Sequence, residues 1–316
     1  GNEYVLSYQK QDGNKGIPVY TGDFQNRRYW QMPEWNKESL YFIIRNRISS
    51  HSYVKARFYY DSFYNLLESY DDSTYSSQTF RYAFSSIYDD HSLGSSVEYH
   101  NSSIKNNNLA IALHFKRDVH LEQGSEESFF LNFSDHTYSL ALEDVFSISP
   151  GLDLTGGFSW NHRKNLMAEE FMNGDSIVSM EDASDNAINY RISLSYNAFQ
   201  DHRFWAGVSA NSRFATLKER YSYRLGRSLP NPGLGSERAF HFVSGYEYKS
   251  DLLDIYAELF YIRGKDKIAY VNVNPDVLQF RNVDNTVSYG MDIGISMRPL
   301  RIFHANLNYS YLNISD

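Results

Sequence analysis

The chain has 316 residues, a formal net charge of -8 and no Cys, so disulfides and Cys-ligated metal sites are excluded. The acidic balance argues against nucleic acid as a partner. Aromatic residues make up 16% of the chain, and both Tyr and Phe favour strands. With a mean hydropathy of -0.53, the chain lacks an apolar run of the roughly 18 residues that a membrane helix needs. A membrane barrel is not excluded, because only every second residue of a barrel strand faces lipid.

Stretches that alternate between apolar and polar residues predict strands, because successive strand side chains point to opposite faces. The clearest of them lie, in chain order, at 40–48, 53–60, 109–116, 188–198, 287–297 and 303–311. In 188–198, apolar residues from Ile188 to Ala198 alternate with polar residues from Asn189 to Asn197. A tilted membrane strand needs about 9–11 residues, whereas strands of globular proteins are nearer 5–6. The whole chain, 1–316, is interpreted as one antiparallel all-β domain of about thirteen meander strands.

The connections between these strands alternate between short and long. The predicted short links are 49–52, 101–107, 147–151, 199–202, 250–252 and 298–301. The predicted long links are 11–37, 61–91, 119–135, 164–187, 215–238 and 264–285. Strict alternation places all long loops at one end of the sheet, as in outer-membrane barrels with short periplasmic turns and long extracellular loops. A soluble β-sandwich also shows alternating faces, but its strands are shorter and its loops lack this asymmetry.

One region late in the chain resembles the barrel of TonB-dependent receptors. The similar residues are Arg213 and Phe214, followed by the box Asn231-Pro232 and by Glu237, which leads into Gly245-Tyr246-Glu247. Gly233 and Ser236 depart from the family's pattern, and Asp292 stands where Glu is usual. The resemblance implies a barrel of about 22 strands with an N-terminal plug. We therefore expect this chain to be an incomplete barrel, with the plug and the last strands missing.

The resemblance implies an active-transport receptor of the bacterial outer membrane that imports a scarce large solute, such as a ferric chelate, a vitamin or a glycan. Its expected partners are outer-membrane lipid, a small-molecule or oligosaccharide solute, TonB through the missing N-terminal part, and a surface lipoprotein. No cofactor is expected. No enzymatic activity is expected either, since no Ser lies in a G-x-S-x-G setting. A passive or structural barrel without TonB coupling is the main alternative, and a barrel hydrolase is the third.

Two groups of residues are candidates for contact with a solute. The first loop brings together Arg27, Arg28, Tyr29, Trp30 and Trp35, and rings beside Arg suit stacking on a solute as well as simple loop packing. The polar strand face carries Arg45, Arg47, Lys55, Arg57 and Arg191, which could attract anionic ligands or pair with neighbouring carboxylates. His114, Asp118 and His120 are interpreted as solvated residues where a strand runs into a loop, and no metal site is predicted.

Overall fold

The computed structural model describes residues 1–19, 28–80, 82–125, 128–172, 176–181, 183–199, 201–223, 228–275, 277–300 and 302–315. The elements are β1 Glu3–Gln11, β2 Lys15–Gly16, β3 Tyr29–Arg47, β4 Ser52–Tyr70, β5 Phe84–Asn101, β6 Asn107–Gln123, β7 Leu131–Ser149, β8 Leu152–Met172, β9 Ser176–Ser179, β10 Ser184–Ala198, β11 His202–Arg213, α1 Leu217–Tyr221, β12 Ser228–Leu229, β13 Glu237–Lys249, β14 Leu253–Lys265, β15 Lys267–Asn274, β16 Val277–Val283, β17 Thr286–Leu300 and β18 Phe303–Ser315. Within these ranges, no helix is both long enough and apolar enough to cross a bilayer.

Thirteen strands form one antiparallel sheet in the order β1-β3-β4-β5-β6-β7-β8-β10-β11-β13-β14-β17-β18, so each pairs with its neighbours along the chain. This confirms the predicted meander. The short strands β2 and β9 pair with β3 and β8, and β12, β16 and β15 form a separate sheet. Among the described residues, β1 pairs in this path only with β3 and β18 only with β17, so the sheet is not closed.

The two faces of the sheet differ as the alternation predicts. On β10, Ile188 and Ile192 are 60% and 55% exposed, whereas Asn189 and Ser193, on the other face, are partly covered. Cross-strand partners share a face, so the register carries this division through all thirteen strands. We call the two sides the apolar face and the polar face.

Aromatic side chains border the apolar face at two levels. Phe146, Tyr196 and Phe204 lie within three residues of the short-turn ends of their strands, whereas Tyr60, Tyr138, Trp160 and Tyr261 lie at least eight residues from those ends, and all are exposed. Such paired girdles are typical of a barrel whose outer surface crosses a membrane. We call the apolar face between the girdles the membrane band.

Short and long connections alternate, but the strands run further into the long connections than the sequence predicts. β3 begins at Tyr29 instead of residue 40, and β6 continues to Gln123. The remaining long connections are 12–28, 71–83, 124–130, 173–183, 214–236 and 266–285. Beyond the membrane band neither face contacts lipid, so neither needs a regular row of apolar residues. Because backbone pairing continues there, the alternation of apolar and polar residues ends before the strand does.

Candidate functional site

The five basic residues predicted for the lumen wall lie on the polar face, with Arg45 directly opposite Lys55. Three of them form ion pairs: Arg45 with Glu3 at 3.6 Å, Lys55 with Glu98 at 3.6 Å, and Arg191 with Glu143 at 3.3 Å. Because these side chains are partly solvated, each pair contributes at most about 1 kcal/mol. Arg191 also lines an open groove of about 480 Å³ on the same face.

Two predicted wall residues are held in other ways. Arg47 donates from Nε to the backbone oxygen of Ser49 at 2.9 Å and from Nη2 to that of Ser50 at 3.1 Å, and so fastens the turn after β3. The guanidinium of Arg57 lies 5.5 Å from the ring centroid of Tyr59. Its Nε is buried and has no hydrogen-bond partner in the part of the chain that the structure describes. Arg57 is therefore a wall residue with an unsatisfied donor.

The aromatic residues predicted in the first loop lie instead on strand β3, so the loop assignment is wrong for Tyr29, Trp30 and Trp35. Pairing of β3 with β4 continues past a register shift that contains Pro33. Proline is tolerated at a bulge because no ladder hydrogen bond is required of it there. The shift leaves Trp30 on the polar face, where its Nε1 donates to Ser69 Oγ at 3.0 Å.

Cations lie over both indole rings. The guanidinium carbon of Arg28 is 4.8 Å from the Trp30 ring centroid, and Lys15 Nζ is 3.5 Å from that of Trp35. Phe63 packs edge-on against Trp35 at 4.8 Å, and Lys37 Nζ lies 5.8 Å from the Trp35 ring centroid. These contacts create one aromatic and cationic surface beyond the membrane band. We call it the upper-wall cluster and define it as Lys15, Arg28, Trp30, Trp35, Lys37 and Phe63.

Two predicted residues do not belong to this surface. Tyr29 follows Arg28 on the chain but packs edge-on against Tyr75 at 6.2 Å. Its side chain lies on the face opposite to that of Trp30, since successive strand residues alternate. Arg27 lies outside the described residues.

The connection after β11 begins with a tightly fixed turn. Thr216 caps α1: its Oγ1 accepts from Glu219 N at 3.2 Å, and Glu219 Oε2 accepts from Thr216 N at 2.8 Å, which is a capping box. Arg213 donates to Glu219 at 2.8 and 3.1 Å and to Glu237 at 2.8 Å. Burial alone would raise the pKa of Glu219, but the hydrogen bonds from Arg213 and Thr216 outweigh it and lower that pKa.

Residues 214–223, which we call the inward segment, fold back onto the polar face. Arg220 is completely buried and forms an ion pair with Asp135 of β7. Tyr221 stacks on Phe133 at 5.7 Å and accepts from Arg220 Nη1 at 2.9 Å. Two further contacts reach β5 and β6: Lys218 Nζ with Asp90 at 3.1 Å, and Ser222 Oγ with Glu122 at 2.9 Å. The segment thus covers the outer ends of three neighbouring strands.

A second buried arginine holds the start of the inward segment. Arg163 of β8 donates from Nη1 to the backbone oxygen of Ala215 at 2.9 Å. Its guanidinium also lies 5.4 Å from the ring centroid of Phe214. Phe214, which carries part of the family resemblance, therefore has a packing contact with β8.

His120 is buried beneath the inward segment between two carboxylates. Its Nδ1 contacts Asp90, and its Nε2 lies 3.2 Å from Glu122 Oε2. Because the charge of Arg117 ends the outward apolar row of β6, His120 lies outside the membrane band. Burial would lower the pKa of His120, but the hydrogen bonds to Asp90 and Glu122 outweigh it and raise that pKa above its usual 6.5.

The prediction of solvated side chains at His114, Asp118 and His120 is wrong for His120, which is 3% exposed. The three residues share the polar face because β6 continues beyond them. His114 lies 3.3 Å from the hydroxyl of Tyr59, and Asp118 pairs with Lys116 at 2.8 Å. Among the described residues, no group of three or more candidate ligands is arranged to hold a metal ion.

The Asn-Pro box joins two long connections. Leu234 N donates to Asn231 O at 3.1 Å across a turn with Pro232 in second position, which suits proline because its φ is already set. Asn231 Nδ2 donates to the backbone oxygen of Phe280 on β16 at 2.8 Å. Leu234 is buried in a small apolar cluster that Phe280 also contacts. The box therefore fastens the chain that follows the inward segment.

Two signals in the sequence could have indicated the inward segment. Thr216 and Glu219 have the spacing of a capping box before an apolar residue. Polar residues also continue on the polar face beyond the membrane band, as far as Glu122 on β6 and Asp135 on β7. Buried polar groups need partners, and a covering segment can supply them.

The family model described as "TonB dependent receptor-like, beta-barrel" matches residues 1–316. No curated protein matches the chain significantly in sequence. Among solved structures, the chain is similar to the copper transporter OprC, with a TM-score of 0.77 and 16% identity over 98% of this chain and 50% of that one.

Two iron-related structures are similar to the same degree. The FrpB iron transporter from Neisseria meningitidis (F3-3 variant) has a TM-score of 0.74 and 15% identity, covering 99% of this chain and 50% of that one. The ferric yersiniabactin uptake receptor FyuA from Yersinia pestis has a TM-score of 0.74 and 11% identity, covering 99% and 49%. The chain thus spans about half the length of these structures, and identities this low show a shared fold.

Proposed function

This chain belongs to the TonB dependent receptor-like β-barrel family, and from that premise we propose that it forms part of an active-transport receptor. Barrels of this family lie in the bacterial outer membrane, and the girdled apolar face of the sheet fits that location. The receptor would import a scarce large solute, such as a ferric chelate, a vitamin or a glycan, with energy delivered through TonB. No catalytic role is assigned to this chain.

The observation that carries the proposal is the wide polar face. Barrels of about eight strands are filled by their own side chains, whereas transporter barrels of about 22 strands enclose a lumen wide enough to need a plug. The described part of this chain already has thirteen strands in sequence without closing. A barrel with more than thirteen strands encloses a lumen wide enough for the passage of a large solute. The names of the similar structures refer to copper, iron and ferric yersiniabactin.

We propose that the solute first meets the upper-wall cluster. Trp30 and Trp35 offer ring faces, and Lys15 and Arg28 add positive charge next to them. Such a surface suits an anionic chelate with planar groups. Further down the wall, the guanidinium of Arg57 lies over the ring of Tyr59. Replacing Trp35 by Ala should weaken solute binding by about 2 kcal/mol if the ring is a main anchor.

The proposed partners follow from the transport role. Outer-membrane lipid surrounds the membrane band, and TonB would contact a plug that lies outside this chain. A surface lipoprotein that delivers the solute is a further candidate, and the long connections are the surface available to it.

The test is uptake of radioactive iron from a panel of ferric chelates. Full-length receptor would be expressed in cells that lack their own ferric receptors, with and without a protonophore. We expect uptake of at least one chelate that stops when the protonophore dissipates the proton gradient. Uptake that continues at the same rate would indicate a passive barrel, and would contradict TonB coupling.

A further inference from the structure

The apolar face of three neighbouring strands ends in a row of basic residues just beyond the membrane band. The register places Arg117 of β6 opposite His136 of β7, and His136 opposite Lys164 of β8. Because adjacent strands lie about 4.8 Å apart, the row spans about 10 Å. Arg117 and Lys164 are exposed, and His136 is half-buried.

Within the described ranges, neither Arg117 nor Lys164 forms an ion pair. Asp135 precedes His136 on the chain but points to the polar face, where it pairs with Arg220. Arg117 and Lys164 lie on either side of His136, and burial together with these two charges lowers the pKa of the imidazole. An anion bound between Arg117 and Lys164 would be attracted by both charges.

Beneath the cations, the surface becomes aromatic and then aliphatic. The rings of Phe115 and Tyr138 lie 5.4 Å apart, and Tyr138 stacks towards His162 at 6.5 Å. One step further into the membrane band, Leu113 and Leu140 are 58% and 42% exposed. The patch therefore changes from charged to aromatic to aliphatic along the strands, which is the polarity of an anionic lipid from headgroup to acyl chain.

We propose that this patch binds the phosphate group of an outer-leaflet lipid on Arg117 and Lys164, with the acyl chains against Leu113 and Leu140. The proposal rests on the outer-membrane location and on the extracellular position of the long connections. Guanidinium groups bind phosphate through several N–H donors, and basic residues at a membrane surface attract anionic lipids. The patch differs from the solute route, which lies on the opposite face of the sheet.

The test measures how much lipid A remains on purified full-length receptor after detergent washing, by native mass spectrometry. In the variant Arg117→Gln with Lys164→Gln, we expect retention to fall by about tenfold or more, because each lost cation weakens the attraction. The matched control, Lys55→Gln with Lys116→Gln, removes the same two charges from the polar face and should retain lipid A like the unmodified receptor. Heat-modifiable gel mobility verifies that all three proteins are folded barrels.

Four results would overturn the proposal. Equal retention in the Arg117/Lys164 variant would show that the cations do not hold the lipid. Equal loss in the control would show an effect of total charge alone. Equal retention of dephosphorylated lipid A would show that Arg117 and Lys164 do not bind the lipid phosphate. Displacement of lipid A by inorganic phosphate at millimolar concentration would show a site for free phosphate and not for a lipid headgroup. Chelate uptake is measured separately, so a failure here leaves the proposed transport function standing.

Discussion

In the membrane band, large apolar side chains such as Ile192 expose more than half of their surface, whereas Arg220 and Tyr221 of the inward segment expose none. The same sheet therefore uses two means of stabilisation. Lipid solvates the apolar face of the band, so the band needs no protein core there. The inward segment must instead satisfy each buried polar group with a protein partner. The comparison shows that one part is specified by a repeating pattern and the other by individual contacts.

The largest expected effect comes from removing the buried cation of the inward segment. Arg220→Ala leaves Asp135 buried without its partner, which should destabilise the local structure by about 3–5 kcal/mol. We expect hydrogen exchange of residues 216–223 to accelerate strongly, while exchange in β10 stays unchanged. The double variant Arg220→Met with Asp135→Leu should recover much of the protection, because it removes both charges. Unchanged exchange in the single variant would show that the ion pair does not hold the segment.

A substitution in the membrane band should destabilise the band and leave the inward segment unchanged. Ile192→Arg places a charge on the lipid side near the middle of β10, at an expected cost of about 2–4 kcal/mol. Ser193→Arg adds the same side chain on the polar face and should cost much less. Urea unfolding of the full-length receptor in lipid vesicles measures both. Equal costs for the two variants would contradict the assignment of the faces.

A smaller effect is expected where the polar wall itself is tightly packed. A Cβ atom at Gly94 would lie 2.1 Å from the ring of Tyr59, so Gly94→Ala should cost about 1–3 kcal/mol through overpacking. Gly156, where a Cβ atom would meet nothing within 4 Å, provides the matched control. Adding Tyr59→Ala to Gly94→Ala should restore stability in the same unfolding assay. A cost at Gly94 no larger than at Gly156 would disprove the contact.

The smallest effect is the pH dependence of the inward segment. His120 has a raised pKa, so its contribution to the stability of the inward segment is fully present below pH 6.5. That contribution is lost as the pH rises through the raised pKa. Glu219 has a lowered pKa, so its contribution to the stability of the inward segment is present above pH 4.5. That contribution is lost as the pH falls through the lowered pKa. Asp90, Glu122 and Lys218 are the charged groups that face His120.

Hydrogen exchange in residues 216–223, corrected for the intrinsic pH dependence, should therefore be slowest at mildly acidic pH. His120→Gln should remove the loss at high pH while leaving the loss in acid. A profile that is flat in the unmodified receptor would contradict the role of both groups.

The contrast also explains what the sequence could predict. Alternation from Ile188 to Ala198 depends only on local order along one strand, so it predicts the band, the meander and the polar face. The pairing of Arg220 with Asp135 joins residues 85 positions apart, and no local pattern contains it. The position of the upper-wall cluster on a strand could not be predicted for a third reason. A register shift at Pro33 turned Trp30 onto the polar face, and the loss of alternation beyond the lipid concealed the continuing strand.

The central claim is that one face of this sheet contacts lipid and the other lines a lumen. Since the chain holds no Cys, single Cys substitutions from residue 188 to 196 can each carry a spin label at a unique site in it. Relaxation by oxygen, which concentrates in lipid, should be high at Ile188, Tyr190, Ile192 and Leu194. Relaxation by a water-soluble nickel chelate should be higher at Asn189, Arg191, Ser193 and Ser195. Equal accessibility of the two sets to both reagents would contradict the claim.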